Sequence, residues 1–387
     1  MFSGYEKTVF DAKDLMNRAE RATGHDDFGD LFFIEPLTRL TEDINQNTQF
    51  HPIGAFLYKN KLLLNLINRL WAQYWFNHEV DQDMPIPPTL LITGLQRTGT
   101  TFLQRLLGSL PEFRGILSWE IINPVPKSKK KKYFGKYQSQ IGHYMLNYLS
   151  PEFRSIHSVK PTSLEEEAAL MDHTFMSSIA EASLNVPEYA SWLNKQDQTN
   201  AYVDLRKWIQ LLLWRKPAKE YLLLKSPHHM EYLDLFVKMF PKTKIIHMHR
   251  TPVKTMASYC SMVKYGKKIF MPSADQEDIG RHWLEKNNRL MNSCLDFRKN
   301  NQDIFLDIAY KQLVKDPIET ARSIFKFLDL TWTDEHTRLA LSFCEEHRKD
   351  KYGKHVYSLE DYGLSRELVS QTFETYLDSF SDYLSES

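Results

Sequence analysis

The stretch TLLITGLQRTGTTFLQRLL, Thr89 to Leu107, restricts the fold more than any other part of this chain. A short apolar run, Leu90 to Thr93, meets a turn at Gly94 and passes into an amphipathic segment, Thr100 to Leu110. Gly94 and Gly99 stand five residues apart. Glycines at those places let the backbone turn tightly and aim its N–H groups at an anion, at the positive end of the next helix. A strand, an anion-cradling loop and a helix are therefore expected in that order.

A nucleoside-triphosphatase loop carries a lysine after its second glycine, reaching the β- and γ-phosphates, and then a hydroxyl for Mg²⁺. Here Thr100 takes the lysine's place and the cation comes earlier, at Arg97. The missing lysine disfavours ATP chemistry. Arg97, Thr98, Gly99, Thr100 and Thr101 instead suit one phosphate and the group attached to it.

Beyond the loop, apolar runs alternate with amphipathic segments. Tyr221 to Leu224 precedes a helix expected from Pro227 through Phe240, and Lys244 to Met248 precedes one after Pro252. Ile304 to Ile308 precedes one from about Asp316 to Leu328. Such alternation predicts an α/β fold, a P-loop-like parallel sheet flanked by helices, with ligands at the carboxyl ends of its strands. Residues 1–85 show helical periodicity up to the break at Pro85, Pro87 and Pro88. They are expected to form a helical subdomain packed on the main fold, with a lid or homodimer surface as the sharper reading. Residues 86–387 then form the α/β domain, with a helical insertion around 125–215.

Lys+Arg and Asp+Glu balance at 49 each, so no global charge draws the chain to nucleic acid. The run Lys127 to Lys136 reads as a solvated loop, with weak contact to an anionic membrane as the alternative. Three scattered cysteines, Cys260, Cys294 and Cys344, argue against a disulfide framework. The N-terminus lacks the apolar core of a signal peptide, and no apolar run approaches the roughly 20 residues that cross a bilayer. A cytoplasmic protein is expected. No metal is expected either: the cysteines lack ligand spacing, and His228 and His229 are adjacent, so their side chains diverge.

A second anion site shows at the third strand. Arg250 closes IIHMHR, Pro252 suits the first turn of a helix, and Ser258 falls about two turns in. An arginine fork beside a helical hydroxyl can hold another phosphate. Two separated phosphates suit 3′-phosphoadenosine-5′-phosphosulfate (PAPS).

On the RTGTT loop, Lys225-Ser-Pro-His-His229, the Arg250 and Ser258 pair, HSVKPTSLEEEAAL (His157 to Leu170) and GKHVYSLEDYGL (Gly353 to Leu364), the chain resembles the PAPS-dependent sulfotransferase superfamily. The likeness is to its bacterial-type branch and covers most of the chain. It implies that Arg97 to Thr101 grip the 5′-phosphosulfate, while Arg250 and Ser258 hold the 3′-phosphate. It also implies that Lys351, Lys354 and His355 close over the nucleotide and that Tyr310 lies near the adenine, a packing tyrosine being the alternative.

Sulfuryl transfer needs charge neutralisation at the leaving oxygen of adenosine 3′,5′-bisphosphate and a base for the acceptor proton. Arg97 and Lys225 suit the first task. Glu165 to Glu167 read, as residues, like an acidic helix start. The resemblance favours Glu166 as the base, with His229 competing and His228 behind it. The acceptor is expected to be a hydroxyl on a small molecule or lipid. A P-loop kinase-like phosphotransferase and a non-catalytic nucleotide-binding relative are the rival readings.

Overall fold

The computed structural model describes residues 8–127, 135, 160–218, 220–347 and 357–384. Most of the lysine run, with Lys351, Lys354 and His355, lies outside them.

The apolar runs become five parallel strands, β1 (Thr89–Thr93), β2 (Phe113–Gly115), β3 (Tyr221–Lys225), β4 (Lys244–His249) and β5 (Phe305–Ala309). Their order is β2-β3-β1-β4-β5, with Leu91 of β1 between Leu224 and Ile245. Side chains alternate between the two faces of a strand. Leu90, Ile92, Leu223 and Ile246 therefore meet Leu103 and Leu107 from the helix Thr100–Leu107 and Phe325 from the helix Pro317–Phe327. Leu91, Leu222, Leu224 and Ile245 face a larger core that continues into the N-terminal helices. Both faces are covered, so β1 is buried from end to end, with its apolar residues Leu90, Leu91 and Ile92 between two threonines.

The chain leaves β1 toward β2 on one side and leaves β3 toward β4 on the other. A reversal of that kind opens a crevice beyond the strands' carboxyl ends. The phosphate loop and the Pro227 turn both begin there.

The helices Ala12–Thr23, Ile34–Asn47 and Pro52–His78 precede the sheet. Buried Arg69 fastens the third to the rest, pairing with Asp204 at 2.6 Å and lying 4.3 Å from the Phe33 ring centroid. Removing either charge would leave the other buried and unmatched, a costly state. The aromatic runs Trp71 to Phe76 and Trp208 to Trp214 pack here, with Trp75 5.5 Å from Trp214 and its Nε1 donating to the Pro126 carbonyl at 2.7 Å. No helix among the described residues is long and apolar enough to cross a membrane.

Local differences from the sequence reading have physical causes. The loop helix stops at Leu107, where the bonding tightens: the next N–H groups, of Ser109 and Leu110, turn to the Leu106 and Leu107 carbonyls at 3.2 and 2.9 Å, three residues back instead of four. The segment after Pro227 is broken into a 3-10 turn, Pro227–Glu231, and a helix, Leu233–Met239. Tyr232, at φ −136° and ψ 37°, leaves the helical region between them. β2, only three residues long, carries no periodicity to read.

Candidate active site

The loop's glycines are where the chain cannot carry a side chain. Gly94 has φ 132°, and a Cβ there would lie 2.4 Å from the Met248 carbonyl oxygen on the adjacent strand. Gly99 has φ 93°, and its Cβ would lie 3.0 Å from the Tyr310 ring. Between them Arg97 takes φ 70°, a left-handed conformation costing a non-glycine residue about 1–3 kcal/mol. That strain turns the loop so that the helix Thr100–Leu107 opens toward the crevice with its first N–H groups outside the helical ladder.

Arg97 also joins the two expected anion sites. Its Nε donates to Ser258 Oγ at 3.1 Å, and Arg250 Nη1 donates to its carbonyl at 2.9 Å. The Arg97 side chain thus points at the Arg250 and Ser258 locus while its backbone shapes the loop. Burial pulls the pKa of its guanidinium below the usual arginine value, Tyr357 opposes that shift, and Arg250 reinforces it. Tyr310 lies beneath, with the Arg250 guanidinium 4.0 Å from its ring centroid. Arg250 Nε is buried and has no hydrogen-bond partner among the described residues.

The three glutamates divide. Glu165 pairs with Arg105 at 3.1 Å. Glu166 keeps 38% of its side chain exposed, pairs with Lys225 Nζ at 2.6 Å and accepts from Ser226 Oγ at 3.1 Å. Lys225 is 1% exposed and its Nζ also reaches Thr101 Oγ1 at 3.3 Å, so this cation stands between the carboxylate and the loop. Glu167 is fully buried; it accepts from the Lys225 N–H at 2.7 Å and meets His229 Nε2 at 2.9 Å. His229 Nδ1 lies 2.7 Å from the Tyr202 hydroxyl. Both ring nitrogens of His229 are engaged inside the protein, away from the cavity. Glu167 does open a 3-10 helix, Glu167–Thr174, with Glu166 at its N-cap, as an acidic helix start implies, but each of the three carboxylates also has a partner of its own.

These groups open on a cavity of about 1060 Å³. Arg97, Thr100, Thr101, Glu166, Arg250, Ser258 and Tyr310 line one part of it, and His228 rather than His229 reaches it from the Pro227 turn. Trp283, Lys286 and Leu290, one face of the helix Gln276–Arg298, line another. Sequence reading passed over these three, because a three-to-four-residue apolar spacing marks an ordinary core face.

The fold also brings Asp307 of β5 to His247 and His249, which stand two residues apart on β4. A cation already lies among them. Arg298 donates to both Asp307 oxygens at 2.7 Å and approaches His247 Nδ1 at 3.1 Å. Burial holds the pKa of both imidazoles low.

The model of the sulfotransferase family matches residues 88–334, well over half of the chain. This chain is a member of that family. The sulfotransferase is similar to omega-hydroxy-beta-dihydromenaquinone-9 sulfotransferase Stf3 of Mycobacterium bovis, 19% identical over 83% of each chain. Its fold matches sulfotransferase STF1 of Mycobacterium tuberculosis H37Rv with a TM-score of 0.82 at 28% identity, covering 96% of this chain and 100% of that one. It also matches sulfotransferase STF9 of Mycobacterium avium, TM-score 0.86 at 22% identity, covering 97% and 98%. The chain is thus a sulfotransferase, an enzyme of the transferase class, for which the family implies PAPS as donor.

Proposed function

We propose that this sulfotransferase moves the sulfuryl group of PAPS to a hydroxyl of a small molecule or lipid. The reading rests on one observation: Arg97 ties the phosphate loop to Ser258 and Arg250, so two anion sites meet on one cavity. The residues fit the donor. Arg250 Nε, buried without a partner among the described residues, asks for an acceptor such as a phosphate oxygen, and the first turn of the loop helix offers N–H groups outside the helical ladder.

In this reading Arg97 to Thr101 hold the 5′-phosphosulfate, Arg250 and Ser258 hold the 3′-phosphate, and Tyr310 lies on the adenine side. Lys351, Lys354 and His355, which lie outside the described residues, belong to the nucleotide site in this reading on the strength of the family resemblance alone. Bound PAPS supplies the sulfuryl group and a bisphosphate leaving group. Lys225 stabilises charge on the leaving oxygen, a role supported by its bond to Thr101, and the loop helix adds the field of its N-terminus. Glu166 takes the acceptor's proton; its exposure to the cavity supports that role. His229 holds the adjoining turn in place. The free cysteines, two of them buried, support work in a reducing compartment such as the cytoplasm.

Thermal unfolding tests the donor site. Adenosine 3′,5′-bisphosphate without Mg²⁺ is expected to raise Tm, and ATP with Mg²⁺ to leave it unchanged. The opposite pattern would overturn the reading and restore the kinase-like alternative.

A further inference from the structure

We propose that the end of the cavity walled by the helix Gln276–Arg298 is a chamber for an apolar alcohol, whose hydroxyl is received by the His228 ring. The assignment rests on the donor reading above, because it takes the anion-binding end as already occupied.

Room is the first argument. Small-molecule sites commonly enclose about 300–1,000 Å³. This cavity, at about 1060 Å³, holds space beyond the anion-binding end. Chemistry of the wall is the second. Ile122, Ile179, Ala182, Met262, Trp283 and Leu290 present apolar surface to it. Lys286, the cation among them, is already matched. Its Nζ lies 2.5 Å from Glu181 Oε1, and the other Glu181 oxygen meets His282 Nε2 at 2.8 Å. That pairing leaves no call for an anionic acceptor.

His228 is the third argument and supplies direction. Neither of its ring nitrogens has a hydrogen-bond partner among the described residues, and Nε2 is buried in that state. Buried polar groups are ordinarily bonded, and a chamber that leaves one open selects a ligand able to complete it. Burial, helped by His229 and Lys286, pushes the imidazole pKa down to about 3, so the ring is neutral at physiological pH. A neutral imidazole offers one donor and one acceptor, which suits a hydroxyl. The placement also serves the chemistry. Ser226, two residues earlier in the same turn, bonds Glu166 at 3.1 Å and gives its Oγ to the His228 N–H at 3.2 Å. His228 and Glu166 both line the cavity, so a hydroxyl at His228 enters the space that the carboxylate assigned to take its proton also faces.

Calorimetric titration of the full chain with 1-octanol, octyl methyl ether and glucose tests the chamber, with and without adenosine 3′,5′-bisphosphate. Octanol is expected to bind at least about tenfold more tightly than the ether, since the ether cannot donate to the ring, and glucose is expected not to bind. In His228→Phe the preference for octanol over ether should vanish. Ala182→Trp, which fills the apolar end, should abolish octanol binding while bisphosphate still raises Tm; Leu290→Trp repeats the test if that variant does not fold. Equal affinity for octanol and ether, a preference that survives His228→Phe, or octanol binding unaffected by either tryptophan would overturn the proposal. Loss of bisphosphate stabilisation with the octanol preference intact would overturn the donor reading alone.

Discussion

Replacing Glu166 and Glu167 by their amides, one at a time, separates two neighbouring carboxylates with different duties. Glu167 is sealed in the core, accepting the Lys225 N–H at 2.7 Å and facing His229 Nε2 at 2.9 Å. In Glu167→Gln the amide oxygen stays with the Lys225 N–H and the NH₂ turns to His229. The ring can answer by shifting its proton to Nδ1 and donating to the Tyr202 hydroxyl, now 2.7 Å away as partner. Only the charge-assisted part of the bonding is lost, about 1 kcal/mol. Glu167→Leu allows no such rearrangement. It leaves two buried groups unpaired, at about 1–3 kcal/mol each, for a total of about 2–6 kcal/mol. Glu166→Gln removes a base from the cavity, with an expected loss of about 10²–10⁴ in turnover, and some loss of stability because buried Lys225 loses its counter-charge. Urea denaturation at pH 7 gives the stabilities. Labelled PAPS with a metabolite extract, read by mass spectrometry, gives the turnover. Wild-type stability in Glu167→Leu, or abolished turnover in Glu167→Gln with unchanged stability, would refute the positioning role of Glu167. Wild-type turnover in Glu166→Gln would remove that residue from the mechanism.

Gly94→Ala is expected to fail to fold or to lose donor binding, since its methyl would sit 2.4 Å from the Met248 carbonyl; soluble expression and bisphosphate binding check this. Arg250→Ala and Ser258→Ala should each weaken adenosine 3′,5′-bisphosphate, by about tenfold or more for the arginine, with adenosine 5′-monophosphate far less affected. Calorimetry distinguishes the two ligands. Burial would raise the Glu181 pKa, but Lys286 and His282 outweigh it and bring it from 4.5 to about 2. A depressed carboxylate stabilises the fold fully above its unfolded value and loses that contribution as pH falls through its folded one. Tm should therefore decline as pH drops from about 4.5 toward 2, and Glu181→Gln, less stable at pH 7, should show a shallower decline.

The phosphate loop was legible because its signal is local: two glycines and an arginine between an apolar run and an amphipathic one. β1, β3, β4 and β5 were legible for the same reason, within a residue or two at their ends. β2 was not, since three residues cannot show a period. The family resemblance pointed to Glu166, but the different partners of Glu166 and Glu167 were hidden because they depend on which faces Lys225 and His229 within a turn that no spacing announces. The same turn hid the exchange between His228 and His229, where one residue's difference decides between cavity and core. Trp283, Lys286 and Leu290 read as packing because the helix that carries them is amphipathic throughout; what distinguishes them is the space they face.

The bond from Arg97 Nε to Ser258 Oγ fixes the polarity of that hydroxyl. A guanidinium can only donate, so the serine oxygen is bound as an acceptor and its own hydrogen is left to point outward. Ser258 is thereby primed as a donor before any ligand arrives. On the donor reading proposed above, an incoming phosphate meets a hydroxyl whose hydrogen is not taken up by Arg97. A 3′-phosphate at Ser258 would therefore lie one hydrogen bond away from Arg97 and the loop which that reading gives to the 5′ end.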